Sequence, residues 1–294
     1  MRQTLLIVAA FVCITTASVT FAAHPNKAGT ECSQAKSNAD FDWAPEPQSG
    51  LSLCGGNDAY GYAFLFLGSF HNFEPTAPHV SEIRRFFAKF QPTLVLYEGG
   101  VLSKIRDSND AILRGGEMGL VQWLAASCRI RHASFEPSFA NEVALVLRQY
   151  SAEQAKLYYI ARLIPQYAAQ GNSSGFDEYL TSVIEHQKWQ VVGLANTRPR
   201  SIGEFREGIQ AAVPTLSDWK KLNYPHVAPM DRFNETERGI LNRVASATAA
   251  IRDAALTSKI REGLRKGERV FVIAGTSHML GVRSQLDLNE FRKY

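Results

Sequence analysis

The stretch 61-GYAFLFLGSFHNFEPTAPHVSEIRRFFAKFQPTLVLYEGG-100 decides the fold. Tyr62 to Leu67 is a short apolar run between Gly61 and Gly68 and reads as a buried strand. Pro78 to Phe90 places Val80, Ile83, Phe87 and Phe90 on one helical face, with Pro78 suited to a first helical turn. Thr93 to Tyr97 is a second buried strand. A strand, a helix and a strand in so short a span predict a βαβ unit with parallel strands.

Outward from this unit the pattern continues. Glu117 to Ala126 reads as a helix and Arg129 to Phe135 as a third strand. Residues 139 to 168 are expected to be helical, with a break near Tyr150 where Ser151 and Gln154 form a capping-box pattern. Phe176 to Trp189 reads as an amphipathic helix, Val191 to Leu194 as a short strand, and Ser201 with Glu204 as another helix start. Residues 213 to 232 carry three prolines and read as loop-rich, Asn234 to Lys266 as helical, and Arg269 to Ala274 as the last strong strand. The expected architecture is α/β: a mainly parallel mixed sheet flanked by helices, with a helical insertion before the C-terminal strand, in a single domain spanning 59–294.

The N-terminus has its own grammar. Arg2 precedes an apolar run from Leu5 to Val12, and Thr20-Phe21-Ala22 ends the segment with small residues at −3 and −1. That predicts a signal peptide over residues 1–22 and a periplasmic or secreted location. Thr15, Thr16, Ser18 and Thr20 argue against a retained membrane span. Residues 23–58 read as an extended polar leader. In an oxidising compartment Cys32 and Cys54 could close a disulfide loop, leaving Cys128 as a free thiol. Net charge is +4 with scattered basic residues, which points away from nucleic acid as a partner.

The chemistry collects just past the strands. The first strand runs into Gly68-Ser69-Phe70-His71, the second into Glu98-Gly99-Gly100, the third into Glu136-Pro137, and the last into Gly275-Thr276-Ser277-His278. Open α/β sheets bind ligands beyond the carboxyl ends of their strands. Two Gly-x-x-His turns and two strand-end glutamates therefore mark a candidate site. Imidazole and carboxylate suit Mn, Zn, Co or Fe as a divalent cofactor, which can deliver hydroxide at neutral pH. A His oriented by a carboxylate can also act alone as a general base. Spacing leaves both open.

On these residues the chain resembles the TraB/PrgY/GumN family, related to Tiki proteases, erythromycin esterases and ChaN-like haem-binding proteins. The resemblance rests on Gly68 to His71, Gly275 to His278, Glu98, Glu136 and an Arg on the helix before the last strand, best matched by Arg252. It implies an exported hydrolase of peptide or ester bonds, probed through His71, Glu98 and His278 as metal-binding or water-activating residues. Glu136 would be a further ligand or acid/base partner, and Arg252 would stabilise negative charge or hold Glu98. The alternative it implies is a non-catalytic protein that captures haem or another small ligand. The expected partner is a small-molecule or peptide substrate, with no stable membrane span after signal cleavage. Gly171 to Gly175 matches Gly-x-Ser-x-Gly, but a helix and not a strand is expected before it, so it reads as a loop between helices.

Overall fold

The computed structural model describes residues 63–69, 71–169, 175–229 and 239–286, together with the backbone of 52–57. Signal-peptide residues 1–22, Cys32 and the Ser173 of the Gly-x-Ser-x-Gly match lie outside the described residues. Two compact units emerge, residues 1–136 with 254–294 and residues 137–253.

The first unit is built on a five-stranded sheet. Its strands are β1 (Ser52–Asn57), β2 (Ala63–Ser69), β3 (Leu94–Tyr97), β4 (Arg131–Ser134) and β5 (Val270–Gly275), in the order β1-β2-β5-β3-β4. β2, β5, β3 and β4 are mutually parallel, and β1 pairs antiparallel with β2. The expected α/β class and mainly parallel sheet are observed. β1 corrects the reading of residues 23–58 as leader throughout: its last part pairs with β2, a backbone contribution that its Gly-rich sequence hides.

The central strands are apolar nearly throughout because both faces are covered. Leu65, Leu67, Val95, Tyr97, Phe271 and Ile273 face one way, against α1 (Pro78–Phe90) and α2 (Ser108–Ser127). Phe64, Phe66, Leu94, Leu96, Val270 and Val272 face the other way, with Leu256, Ile260, Met279 and Val282. α1 matches its expected bounds, and its buried residues include Val80, Ile83, Phe87 and Phe90. The expected helix from Glu117 follows the non-helical Gly116, and an unexpected segment from Ser108 precedes it, capped by Asp107, which accepts from the Asp110 N–H. Cys128 caps the C-terminus of α2 and packs, partly buried, against this core.

The second unit is helical. It holds α3 (Phe139–Val146), α4 (Ala152–Ala161), α5 (Leu163–Ala169), α6 (Phe176–Ile184), α7 (Lys188–Val191), α8 (Ile202–Ala212), a 3₁₀ turn (Trp219–Lys221) and α9 (Tyr224–Val227). The long helix α10 (Ile240–Arg265) begins in this unit and ends in the first, and α11 (Thr276–Gln285) follows β5. Ser151 and Gln154 make the expected capping box at the start of α4. Ser201 caps α8, but Glu204 turns to Arg200, whose guanidinium holds its carboxyl down at about 2. Val191 to Leu194 is not a strand. Trp189 and Leu194 are apolar because they enter the helical core, and Gly193 turns the chain with φ +73°.

Within this unit Arg252 makes a two-point contact with buried Glu142, Nε to Oε2 at 2.6 Å and Nη2 to Oε1 at 3.3 Å. The Tyr159 hydroxyl donates to the same carboxylate at 2.8 Å. Burial alone would raise the Glu142 carboxyl, but Arg252, Arg162 and Tyr159 outweigh it and hold it low. This contribution to stability is present above the ordinary glutamate range and is lost as pH falls through the lowered value. Arg252→Ala strands a carboxylate that is 2% exposed, and should cost about 3–5 kcal/mol. The double variant Arg252→Met/Glu142→Leu should cost far less. Urea unfolding of both checks this, and equal losses would contradict it.

Candidate functional site

Three adjacent strands, β2, β5 and β3, end together. In the parallel register Ser69 lies opposite Gly275 and Tyr97 opposite Ile273, so the residues that follow emerge at one edge. The Glu98 N–H continues the ladder onto the Ile273 carbonyl at 3.1 Å, which fixes where its side chain leaves the sheet. The Thr276 hydroxyl reaches the Ser69 carbonyl at 3.4 Å and ties the end of β2 to the start of α11.

Glu98 is the centre of what results. Its Oε2 accepts the Gly275 N–H at 2.7 Å, at the N-terminus of α11, where the helix dipole favours negative charge. His71 Nε2 stands 3.7 Å from Oε2, and His278 Nε2 stands 3.6 Å from Oε1. The two imidazoles differ in access: the His71 side chain is 53% exposed and that of His278 7%. His278 presents its ring edge-on to Phe135, with centroids 5.6 Å apart. It sits in the first turn of α11 and not on the free turn expected from sequence, because α11 starts directly after β5. His71 is in the left-handed region, φ +58°, an uncommon conformation outside glycine.

Gly275 lets the two side chains approach closely. A β-carbon there would lie 3.0 Å from His71 Nε2 and 3.4 Å from Glu98 Oε2. The side chains of His71, Glu98 and His278 thus come together as the strand-end pattern implied. Glu136 is half-buried one strand further out, its N–H on the Ser134 hydroxyl at 3.2 Å. Arg252 lies in the helical unit on Glu142.

Both imidazole–carboxylate separations exceed a direct hydrogen bond. They are nearer the roughly 3.4 Å that separates two donors on one tetrahedral ion. The donor chemistry therefore suits a divalent metal. Yet among the described residues no three His, Cys, Asp or Glu side chains are grouped to hold one. Each imidazole faces a different oxygen of Glu98. What the arrangement does provide is one carboxylate, held by a backbone N–H, between an exposed and a buried imidazole.

Sequence reasoning missed the residues that hold the loops bearing His71 and Glu98. Glu117 accepts the Asn72 N–H, and Gln122 bonds both Leu102 and Gly100. The adjacent Gly115 and Gly116 inside a helical pattern were the available signal. No family model, curated protein or solved structure matches this chain.

Gly275→Ala tests the crowding directly. The backbone suits alanine, φ −54°, so stability should change by no more than about 1 kcal/mol. The new methyl should displace His71 and lower any His71-dependent turnover by about 100-fold. Turnover at the wild-type level would show that the close approach of Gly275 is unimportant.

Proposed function

We propose that this chain is a hydrolase of carboxylic esters or amides, exported from the cytosol, that works by proton transfer at His71, supported by Glu98 and His278. The observation that carries this reading is the Glu98 carboxylate between two imidazoles, at 3.7 and 3.6 Å, beyond the ends of three adjacent strands.

His71, the exposed imidazole, is the group placed to meet a substrate and its attacking water. Taking a proton from that water leaves an imidazolium beside Glu98, and the negative carboxylate stabilises it. The Gly275 N–H keeps that carboxylate in place while charge develops. His278, buried against Phe135, stands 3.6 Å from the second oxygen, where a positive charge on its ring would reinforce the carboxylate's position. No side chain caps α11, so its first-turn N–H groups are suited to the oxyanion that forms on the attacked carbonyl. The proton on His71 then passes to the leaving alkoxide or amine. The resemblance to the TraB/PrgY/GumN group and its esterase and protease relatives points the same way. The signal-like N-terminus supports export, and among the described residues no helix is long and apolar enough to cross a membrane.

The test is hydrolysis of a panel of p-nitrophenyl esters and short peptide amides by the mature chain, with and without a chelator. His71→Ala should lower turnover by at least about 100-fold while the melting temperature holds, and chelation should leave turnover intact. Turnover lost on chelation and restored by Mn, Zn, Co or Fe would replace proton transfer by metal activation of water. A Soret band on adding haem, with no hydrolysis of any substrate, would replace the enzyme by a haem-capturing protein.

A further inference from the structure

We infer that helix α2 is the positioning platform of this site, with Glu117 and Gln122 setting the separation of His71 from Glu98; the inference rests on the reading of that cluster as the reactive centre.

The two residues are unusual for where they are. Glu117 is 0% exposed and Gln122 3%, and polar groups are buried at a cost unless they are bonded. Each bonds a loop rather than another helix. Glu117 Oε2 accepts the N–H of Asn72 at 2.8 Å. Asn72 directly follows His71, whose left-handed backbone needs support from its surroundings. Gln122 grips the loop after Glu98 at two points. Its Oε1 accepts the Leu102 N–H at 2.9 Å, and its Nε2 donates to the Gly100 carbonyl at 3.1 Å. One helix therefore holds the backbone on both sides of the gap between His71 and Glu98.

The helix is shaped for this. Gly116 interrupts α2 with φ +58° and ψ −146°. A β-carbon at Gly116 would lie 2.8 Å from the Asn72 carbonyl, so only glycine admits the His71 loop so closely. A β-carbon at Gly115 would meet the Leu102 Cδ1 methyl at 2.6 Å, and one at Gly119 the Ala111 carbonyl oxygen at 2.1 Å. Behind Glu117, His79 Nε2 stands 3.4 Å from Oε1, and neither atom has a hydrogen-bond partner among the described residues.

The experiment compares wild type with Glu117→Ala, Glu117→Gln and Gln122→Ala. It measures kcat and KM on the best substrate of the panel, the imidazole ring resonances of His71 and His278 by NMR, and hydrogen exchange of the Asn72 amide. Glu117→Ala should lower kcat by about tenfold or more with KM nearly unchanged. It should shift the His71 ring resonance while leaving that of His278 in place, and speed Asn72 exchange. Glu117→Gln keeps an oxygen for the Asn72 N–H and should restore both spectroscopic signatures. Gln122→Ala should move the His71–Glu98 pair from the other side, with Asn72 exchange unchanged. A folded Glu117→Ala with His71 and Asn72 signatures of the wild type would overturn the inference. If Glu117→Ala does not fold, Gln122→Ala decides: wild-type ring resonances and kcat in that variant overturn it equally. Absence of hydrolysis in the wild type would remove the enzymatic reading alone, because the His71 and Asn72 signatures report positioning without turnover.

Discussion

The hydrogen bond from the Gly275 N–H to Glu98 Oε2, at 2.7 Å, is the contact on which the site depends. It joins the end of β5 to the residue after β3 and holds the carboxylate where both imidazoles can reach it. Its geometry follows from the sheet. Parallel pairing of β5 with both β2 and β3 brings three strand ends level, and the next backbone groups have no further strand to bond. A charged side chain at that edge takes up one of the N–H groups the ladder leaves over. The same glycine leaves the space into which His71 points.

Around this contact the structure spends rigid elements on one small region. β5, the central strand, is buried on both faces, and α11 starts without a loop between them. On one side α2 holds the loops that carry His71 and Glu98 through Glu117 and Gln122. On the other, Phe135 and the first turn of α11 hold His278. The exposed imidazole is thus carried by a supported loop and the buried one by a helix, which suits a pair in which one His meets substrate and the other supports the carboxylate.

Much of the first unit was legible in the sequence because its signals are strong and local. Leu65 to Leu67, Val95 to Tyr97 and Val270 to Ile273 are unbroken apolar runs, and such runs need cover on both faces. The strand-end positions of His71, Glu98 and His278 followed from those runs. What was not legible depends on tertiary partners. β1 has no apolar run to mark it, because it earns its place by backbone pairing with β2. Val191 to Leu194 looks like a strand because Val191, Val192 and Leu194 are apolar, yet only Leu194 is fully buried, in the helical core. Glu117 and Gln122 carry no signal of their own within the helix expected from Glu117 to Ala126, because their partners Asn72, Gly100 and Leu102 are distant in sequence. Arg252 was matched to the site by analogy, whereas its described bonds are to Glu142.

The most direct measurement is the turnover of Glu98→Gln against wild type, both freed of metal by chelation, on the same ester or amide. Glutamine keeps an oxygen for the Gly275 N–H and so preserves the geometry, but it removes the charge that stabilises an imidazolium at His71. A fall in kcat of about 100-fold or more, with an unchanged melting temperature, is the result this account predicts. Wild-type turnover in Glu98→Gln would contradict it, since the shared carboxylate would then play no part in the chemistry.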